Sequence, residues 1–323
     1  MKILNLALPE QSEIKYKISK FPDGQQQVNI LGEYNENERR VLKTPMIHFR
    51  DYSGWEPHVK VLIKSRLNNF LDLELIICTV ASLRNLGVKE IHLYCPYLEG
   101  SRSDRQFEKG SNNYLKQVIC PIINSLKFES VTVLDPHSDV LEALIDNYKK
   151  LDNLTLVSSA LEELYVGKVN WDIRKSCHIT TDGSGFVLVS PDAGAAKKIY
   201  KLAEKIGYKK EVIICSKDRD TEGNLTKINV PLDNVEFDND LIIIDDICDG
   251  GATFINIAKE IKEWGVWKGK LYLIVTHGIF SKGFEELSQY FDGIYCTNSY
   301  SRITFPWNMK GYLGKDSNQL NVF

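Results

Sequence analysis

Short apolar runs alternate with longer amphipathic segments along most of this chain. Runs of consecutive apolar residues, typical of buried strands, lie at 91–95, 130–134, 186–190, 212–215, 241–244 and 271–276. Segments with helical spacing lie at 71–86, 113–126, 139–147, 193–206, 254–264 and 283–289, and residues 1–8 have the pattern of a first strand. This alternation predicts the α/β class, with mainly parallel sheets flanked by helices.

The length of the chain and the similar order of elements in its two halves predict two domains. A chain of 323 residues exceeds the usual size of one domain. We predict an N-terminal domain over residues 1–155 and a C-terminal domain over 156–300. The segment 301–323 contains aromatic residues and ends in polar ones, and we expect this tail to dock on the body.

The composition argues against several classes of protein and adds no positive signal for function. The chain is 43% hydrophobic and 26% charged with a net charge of −3, which is ordinary for a globular protein and gives no reason to expect nucleic-acid binding. Seven scattered cysteines without a Cys-x-x-Cys pair predict reduced thiols and a cytoplasmic location. No apolar stretch approaches the roughly 18 residues of a membrane span, and the N-terminus lacks the pattern of a signal peptide.

The segment from Leu241 to Thr253 carries the strongest chemical signal. Four apolar residues are followed by Asp245 and Asp246, then by Asp249, two glycines, Ala252 and Thr253, directly before a helical run. A glycine-containing loop at a helix N-terminus presents backbone N–H groups to a phosphate, and carboxylates beside it can bind sugar hydroxyls or Mg²⁺. The segment therefore predicts a ribose-phosphate site, the alternative being acids that merely cap a helix.

The second half contains three weaker motifs, and in each of them polar residues come at or just after the end of a predicted strand. Asp192 opens a helix and alone is best explained as its N-cap. Lys217 and Arg219 follow a strand, where they are either solvated or placed to contact phosphoryl groups. His277 ends another strand, and we expect a structural role for it.

The first half carries three more motifs that are individually weak. Residues 20–25 read Lys-Phe-Pro-Asp-Gly-Gln, by themselves only a turn. Residues 94–97 read Tyr-Cys-Pro-Tyr and 102–105 read Arg-Ser-Asp-Arg, while 135–137 read Asp-Pro-His. A lone histidine is more often structural than a metal ligand.

Together and in this order, the motifs over residues 1–300 resemble those of the ribose-phosphate diphosphokinases, or PRPP synthetases. That family shows Phe-x-Asp-Gly-Glu, Tyr-x-Pro-Tyr-x-Arg-Gln-Asp-Arg, Asp-x-His, Ser-Pro-Asp-x-Gly, a Lys-Arg-Arg loop, Asp-Asp-x-x-Asp-Thr-Gly-Gly-Thr and Thr-His-Gly-x-Phe-Ser. The resemblance implies two type I phosphoribosyltransferase-like domains. It also implies a Mg²⁺-dependent transfer of the β,γ-diphosphate of ATP to the anomeric hydroxyl of a ribose 5-phosphate unit, with release of AMP.

The resemblance implies a role for each matching residue. ATP would be bound by Phe21, Asp23, Gln25, Arg102 and Asp104. Mg²⁺ would be held by His137 and Asp192, and Lys217 and Arg219 would be the catalytic cations. The ribose hydroxyls would bind Asp245 and Asp246, and the sugar phosphate would bind Asp249, Gly250, Gly251, Ala252 and Thr253. The family also implies a homo-oligomer, whereas the unusual tail puts hexamer formation and control by ADP or phosphate in question.

Departures from the family pattern bear on the acceptor. Gln25 replaces a Glu, the Arg-Ser-Asp-Arg cluster lacks a Gln and follows extra residues, and the segment 50–69 is long. Gly250 stands where the family has Thr, which removes a hydroxyl donor. A wider loop with fewer donors suits a phosphodiester, so we predict ADP-ribose as acceptor, as in the branch of this family that serves NAD⁺ salvage in phages and bacteria. The alternative is ribose 5-phosphate, giving PRPP.

Two further classes compete with this assignment. A type I phosphoribosyltransferase shares the Asp-Asp loop but has no use for the motifs around Phe21, Arg102 and His137. A non-catalytic regulatory subunit would not need Lys217, Arg219 or the two loop aspartates. The presence of all these residues argues against both classes.

Overall fold

The computed structural model describes residues 1–31, 34–35, 40–41, 59–165, 170–172, 178–180, 185–219, 225–233, 235–301 and 319–323. Side chains at 34–35, 40–41, 170–172, 178–180, 218–219, 225–227 and 319 lie outside this description. The chain divides into two compact units, unit 1 with residues 1–151 and Phe323, and unit 2 with residues 152–322. The domain ranges proposed from the sequence stay predictions.

Unit 1 is built on a parallel sheet. Its strands are β1 (Lys2–Asn5), β2 (Tyr16–Lys20), β3 (Gln26–Ile30), β4 (Tyr34–Asn35), β5 (Arg40–Val41), β6 (Lys60–Lys64), β7 (Glu90–Tyr94), β8 (Ser130–Leu134) and β9 (Tyr148–Leu151). Its helices are α1 (Phe70–Asn85), α2 (Cys120–Ser125), which a π-helical turn (Leu115–Ile119) precedes, and α3 (Leu141–Leu144). Among the described residues the main sheet has the order β1-β6-β7-β8-β9 with every pair parallel.

An antiparallel hairpin of β2 and β3 stands beside this sheet and packs on α1. The side chain of Gln26 donates to the carbonyl of Leu71 at 2.9 Å, and Ser82 donates to the carbonyl of Val28 at 2.7 Å. These bonds fix the hairpin, and therefore the turn at its tip, to the first long helix. The core of unit 1 lies between the sheet, α1 and α2.

Unit 2 is built on a second parallel sheet. Its strands are β10 (Asn170–Asp172), β11 (His178–Thr180), β12 (Phe186–Ser190), β13 (Ile213–Ile214), β14 (Ser216–Arg219), β15 (Leu225–Asn229), β16 (Asp240–Cys248), β17 (Leu271–Gly278), β18 (Gly293–Thr297) and β19 (Gln319–Leu320). Its helices are α4 (Leu154–Leu164), α5 (Ala193–Ile206), α6 (Ala252–Glu263) and a 3₁₀ turn (Leu287–Gln289). The described strands of the main sheet run β13-β12-β16-β17-β18-β19, with all pairs parallel.

Helices cover both faces of this second sheet. One core packs under α6 and another under α4 and α5. The residues 241–244 of β16 are buried almost completely, because a central parallel strand is covered on both faces. The predicted fold class, parallel sheets flanked by helices, is confirmed. No helix in the described ranges is long and apolar enough to cross a membrane.

Several element predictions need correction. The helix predicted over 283–289 is a single 3₁₀ turn, Leu287–Gln289, preceded by Gly283 with a φ of +75°. The helix predicted over 139–147 is shortened to Leu141–Leu144, and the strand predicted over 212–215 pairs only at Ile213–Ile214. The segment 113–126 opens with a π-helical turn rather than a regular α-helix.

Candidate active site

Two adjacent carboxylates lie inside the last part of β16. The sequence placed Asp245 and Asp246 after the strand, but the ladder with β17 continues past them to the pair Cys248 and Gly278. Neighbouring side chains of a strand point to opposite faces of its sheet. The two acids therefore do not form a side-by-side pair, and each meets a different environment.

Asp246 is held by a lysine of α5. The Nζ of Lys198 lies 2.6 Å from the Oδ2 of Asp246, and Asp246 is only 6% exposed. A buried carboxylate requires a charged or hydrogen-bonding partner. Removing one partner of such a pair typically costs about 3–5 kcal/mol of stability.

Asp245 has the environment of a functional carboxyl group. Burial, and then the neighbouring charge of Asp246, raises the pKa of Asp245 to about 8. The Asp246 backbone N–H, which donates to Asp245 Oδ1 at 2.9 Å, and the charge of Lys198 oppose this rise. A carboxyl with so displaced a pKa is more common at binding and catalytic sites than elsewhere.

A short loop leads from β16 into α6. Gly251 is the N-cap of α6 and has a φ of +79°, and no side chain of the described residues caps this helix end. Gly250 and Thr253 are half-buried and Ala252 is exposed. The first N–H groups of α6 therefore have no side-chain cap among the described residues and are of the kind that binds anions. The phosphate-binding role of residues 249–253 stays a prediction.

The segment that follows β17 is hydrogen-bonded to this loop. The N–H groups of Ile279 and Phe280 donate to the carbonyl of Cys248 at 2.9 and 3.1 Å, and Ser281 Oγ donates to Asp249 Oδ1 at 2.7 Å. A Cβ added at Gly250 would lie 3.3 Å from Lys282 Cδ. The stem of the exposed Lys282 therefore lies beside Gly250, and the wider loop expected from the sequence stays a prediction.

Asp192 and Lys217 form a second ion pair on the same edge of the sheet. Asp192 caps α5, accepting from the N–H of Ala195 at 3.1 Å, and its Oδ2 lies 2.7 Å from Lys217 Nζ. Burial alone would raise the pKa of Asp192, but the Lys217 contact and the N–H groups of Ala195 and Gly194 together lower it. The N-cap interpretation of Asp192 is correct, and the ion pair is an addition that the sequence did not reveal.

Arg219 ends β14, opposite Leu225 in the antiparallel pair with β15. The side chain of Arg219 and residues 220–224 lie outside the described part of the chain. His277 is buried, and its Nδ1 lies 2.7 Å from Ser299 Oγ, which agrees with the structural role expected for it.

The ATP residues proposed in unit 1 lie on exposed turns. Phe21, Asp23 and Gln25 form the tip of the β2–β3 hairpin, where Gly24 N–H donates to the Phe21 carbonyl at 2.9 Å, and the Phe21 side chain is 47% exposed. An exposed aromatic ring at a tight turn is free to stack on a planar base. The turn predicted for this motif is present.

The remaining predicted residues of unit 1 follow β7 and β8. Arg102 is exposed and Asp104 is half-buried after β7, and the Asp104 carbonyl accepts from Asn113 Nδ2 at 2.7 Å. His137 is exposed after β8, two residues beyond Asp135, which has a φ of +38°. The predicted metal pair, His137 and Asp192, is divided between the two units and stays a prediction.

A cavity in unit 2 lies away from these residues. It has a volume of about 460 Å³ and is lined in part by Tyr200, Lys210, Val212 and Pro231. None of the predicted site residues lines it. The acidic and basic side chains at the carboxyl edge of the sheet, and not this cavity, identify the candidate site.

Sequence comparisons agree with this geometry. Ribose-phosphate pyrophosphokinase of Pyrococcus furiosus is 24% identical over 297 residues, which cover 90% of each chain. The enzyme of the same name from Saccharolobus solfataricus is 28% identical over 280 residues, 86% of this chain and 81% of the relative. Over most of its length this chain is therefore similar to ribose-phosphate pyrophosphokinases. No family model matches it.

A structural comparison shows a shared fold. The crystal structure of phosphoribosylpyrophosphate synthetase from Mycobacterium smegmatis superposes with a TM-score of 0.68 over 100% of this chain and 94% of that chain, at 13% identity. The predictions of a ribose-phosphate pyrophosphokinase relative and of an enzyme are confirmed. The roles of individual residues stay predictions.

The sequence analysis did not single out Lys198 as a site residue. The spacing could have indicated it, because Ala195, Lys198, Ile199 and Leu202 follow the i, i+3, i+4, i+7 pattern of a buried helix face. A lysine in that stripe must reach either solvent or a buried acid. The structure shows that Lys198 reaches Asp246.

Proposed function

We propose that this protein, like the ribose-phosphate pyrophosphokinases it resembles, transfers the β,γ-diphosphate of ATP to the anomeric hydroxyl of a ribose 5-phosphate unit. The anomeric oxygen forms a bond to the β-phosphorus, the bond from that phosphorus to the α-phosphate oxygen breaks, AMP leaves, and the hydroxyl proton passes to solvent. The observation that carries the proposal is the connection between β16 and α6. Asp245 and Asp246 lie near the end of β16, and Gly250 and Gly251 lead into the N-terminus of α6, which no described side chain caps. The fold around this connection is shared with a PRPP synthetase.

The described residues suit this chemistry because phosphoryl transfer needs positioning and charge stabilisation above all. Asp245 would bind the ribose hydroxyls, and the N–H groups of residues 249–253 would bind the sugar phosphate. Lys217 and Arg219 would neutralise charge on the transferred group. In this structure Lys217 is paired with Asp192, and its ammonium has further donors for a phosphoryl group.

On unit 1, we propose that Phe21 stacks on the adenine and that Asp23, Gln25, Arg102 and Asp104 complete the ATP site. The support is the family resemblance and the exposure of the Phe21 ring at its turn. A nucleobase gains both apolar contact and stacking from such a ring.

Magnesium fits the donor set in one respect. In the described parts of the chain there is no cluster of three or more acids, histidines or cysteines that could form an all-protein metal cage. Mg²⁺ is commonly held by one or two carboxylates together with substrate phosphates, and Asp192 offers such a carboxylate, whereas the imidazole of His137 is a less typical Mg²⁺ ligand. When bound, the ion would neutralise the triphosphate.

Two acceptors were considered from the sequence, ADP-ribose as the prediction and ribose 5-phosphate as the alternative. The names of the relatives support ribose 5-phosphate and give no support to ADP-ribose. The position of the Lys282 stem beside Gly250 also weakens the case for a phosphodiester. ADP-ribose stays a second candidate because Gly250 and Ala252 bring no hydroxyl donor to the loop.

Release of AMP tests the reaction and the acceptor together. Purified protein is mixed with Mg-ATP and with ribose 5-phosphate or ADP-ribose at matched concentrations. We expect AMP with ribose 5-phosphate at a kcat/KM above that for ADP-ribose. AMP with ADP-ribose alone would select the salvage reaction, and no AMP with either sugar would favour a non-catalytic subunit.

The setting of the enzyme is also part of the proposal. In the described part of the chain no disulfide joins the cysteines, which are Cys78, Cys95, Cys120, Cys215, Cys248 and Cys296. This supports a reducing compartment such as the cytoplasm. The family resemblance supports a homo-oligomer. Size-exclusion chromatography with light scattering would measure the oligomeric state directly.

A further inference from the structure

Lys198 is a charged residue in an otherwise apolar stripe of α5. Ile199, Leu202 and Ile206 of the same helix are buried in the core between α4, α5 and the sheet. Lys198 is half-buried and directs its ammonium to Asp246 Oδ2. An apolar side chain at position 198 would pack on this face without desolvating a charge, so packing alone does not explain a lysine here.

The partner of Lys198 lies at the point where β16 leads into the phosphate loop. Asp246 precedes Asp249 by three residues, and it follows Asp245, whose side chain points to the other face of the sheet. With Asp246 buried and one of its oxygens bound to an ammonium, its capacity to meet a ligand is small. Asp245 does not share this fixed partner.

We propose that Lys198 is a positioning residue of the sugar site: by holding Asp246 it fixes the end of β16, so that Asp245 and not Asp246 meets the ribose hydroxyls. This inference rests on the proposed function and divides the work between the two acids. The charge of Lys198 also acts on Asp245, whose pKa it lowers against the larger effect of burial.

The first test compares Lys198→Met, which keeps the stem and removes the charge, with Lys198→Arg, which keeps the charge. Lys201→Met is the matched control, because Lys201 is exposed on the same helix. We expect Lys198→Met to raise the KM for the sugar about tenfold or more, with the KM for ATP within about twofold of wild type. Lys198→Arg and Lys201→Met are expected to remain within about threefold of wild type.

A double variant keeps the test decisive if Lys198→Met does not fold. Lys198→Met combined with Asp246→Asn removes both charges and leaves no unpaired buried ion. We expect this protein to fold, as measured by circular dichroism, and to keep the raised KM for the sugar. A wild-type KM for the sugar in this folded double variant would overturn the proposal, as would an equal rise in the KM for ATP in Lys198→Met.

Failure of the proposed function would look different. Wild-type protein that releases no AMP with either sugar, and binds neither by calorimetry, would reject the sugar site itself and with it the role of Lys198. Wild-type activity with an unchanged sugar KM in Lys198→Met would reject Lys198 alone.

Discussion

At the residue scale, the candidate site depends on which charges are paired. Lys198 pairs with Asp246, Lys217 pairs with Asp192, and Asp245 has a carboxyl whose pKa is about 8. The residue types were visible in the sequence, but the pairs were not, because they join positions 25 and 48 residues apart. Only the tertiary positions of α5, β14 and β16 determine them.

Replacement of Lys217 tests the catalytic cation. We expect Lys217→Ala to lower kcat about a hundredfold or more, because a donor at the transition state is lost. The exposed Lys209→Ala is the control and should turn over normally. Near-normal kcat in a folded Lys217→Ala protein would reject the assignment.

Asp245 predicts a particular dependence of stability on pH. Its pKa is raised from 3.8 to about 8 in the folded protein, so the folded state binds the proton more tightly than the unfolded chain does. The stability that this proton contributes is present at low pH and is lost as pH rises through about 8.

Asp245→Asn should therefore gain stability over wild type as pH rises. We expect a relative gain on the order of 1–3 kcal/mol between pH 5 and pH 9, measured by urea unfolding, together with a loss of sugar binding. A difference from wild type that stays constant across this pH range would contradict the displaced pKa.

At the element scale, the bounds of an element were predicted best where its own residues signal both of its ends. The strands at 130–134 and 186–190 and the helix at 193–206 have the predicted bounds, since an apolar run and a capped amphipathic helix specify their own ends. β16 runs four residues further than predicted, because hydrogen bonds to β17 extend through polar residues that look like a loop in the sequence. The segment 283–289 had helical spacing but forms only one turn.

The glycines between β16 and α6 give an element-scale prediction. Gly251 has a φ of +79°, and an added Cβ would lie 3.1 Å from Leu287 Cδ2. Gly251→Ala should cost about 1–2 kcal/mol, the usual penalty of a left-handed backbone for an L-residue, and should raise the KM for the sugar. Gly250→Ala is the matched control, because its Cβ meets only the flexible stem of Lys282, and it should cost less than half as much. Equal effects of the two substitutions would contradict this account of the loop.

At the scale of the whole molecule, the fold and the similarity to ribose-phosphate pyrophosphokinases could be predicted from the ordered set of motifs. No single motif would have been enough. The acceptor could not be predicted, because a glycine in the sequence gives no information on what lies beside it. The structure places Lys282 there, and the relatives favour ribose 5-phosphate. The roles of Phe21, Arg102, His137 and the other proposed residues await variants of their own.

The proposed reaction transfers an intact diphosphate group, and following the β-phosphate of ATP tests this transfer most directly. Wild-type protein would be incubated with Mg²⁺, ribose 5-phosphate and ATP labelled at the β-phosphorus, and the products would be separated by chromatography. We expect the label to leave the nucleotide and to appear in a sugar diphosphate, in amounts equal to the AMP released. Label that stays in ADP, or that appears only as free phosphate or diphosphate, would contradict it.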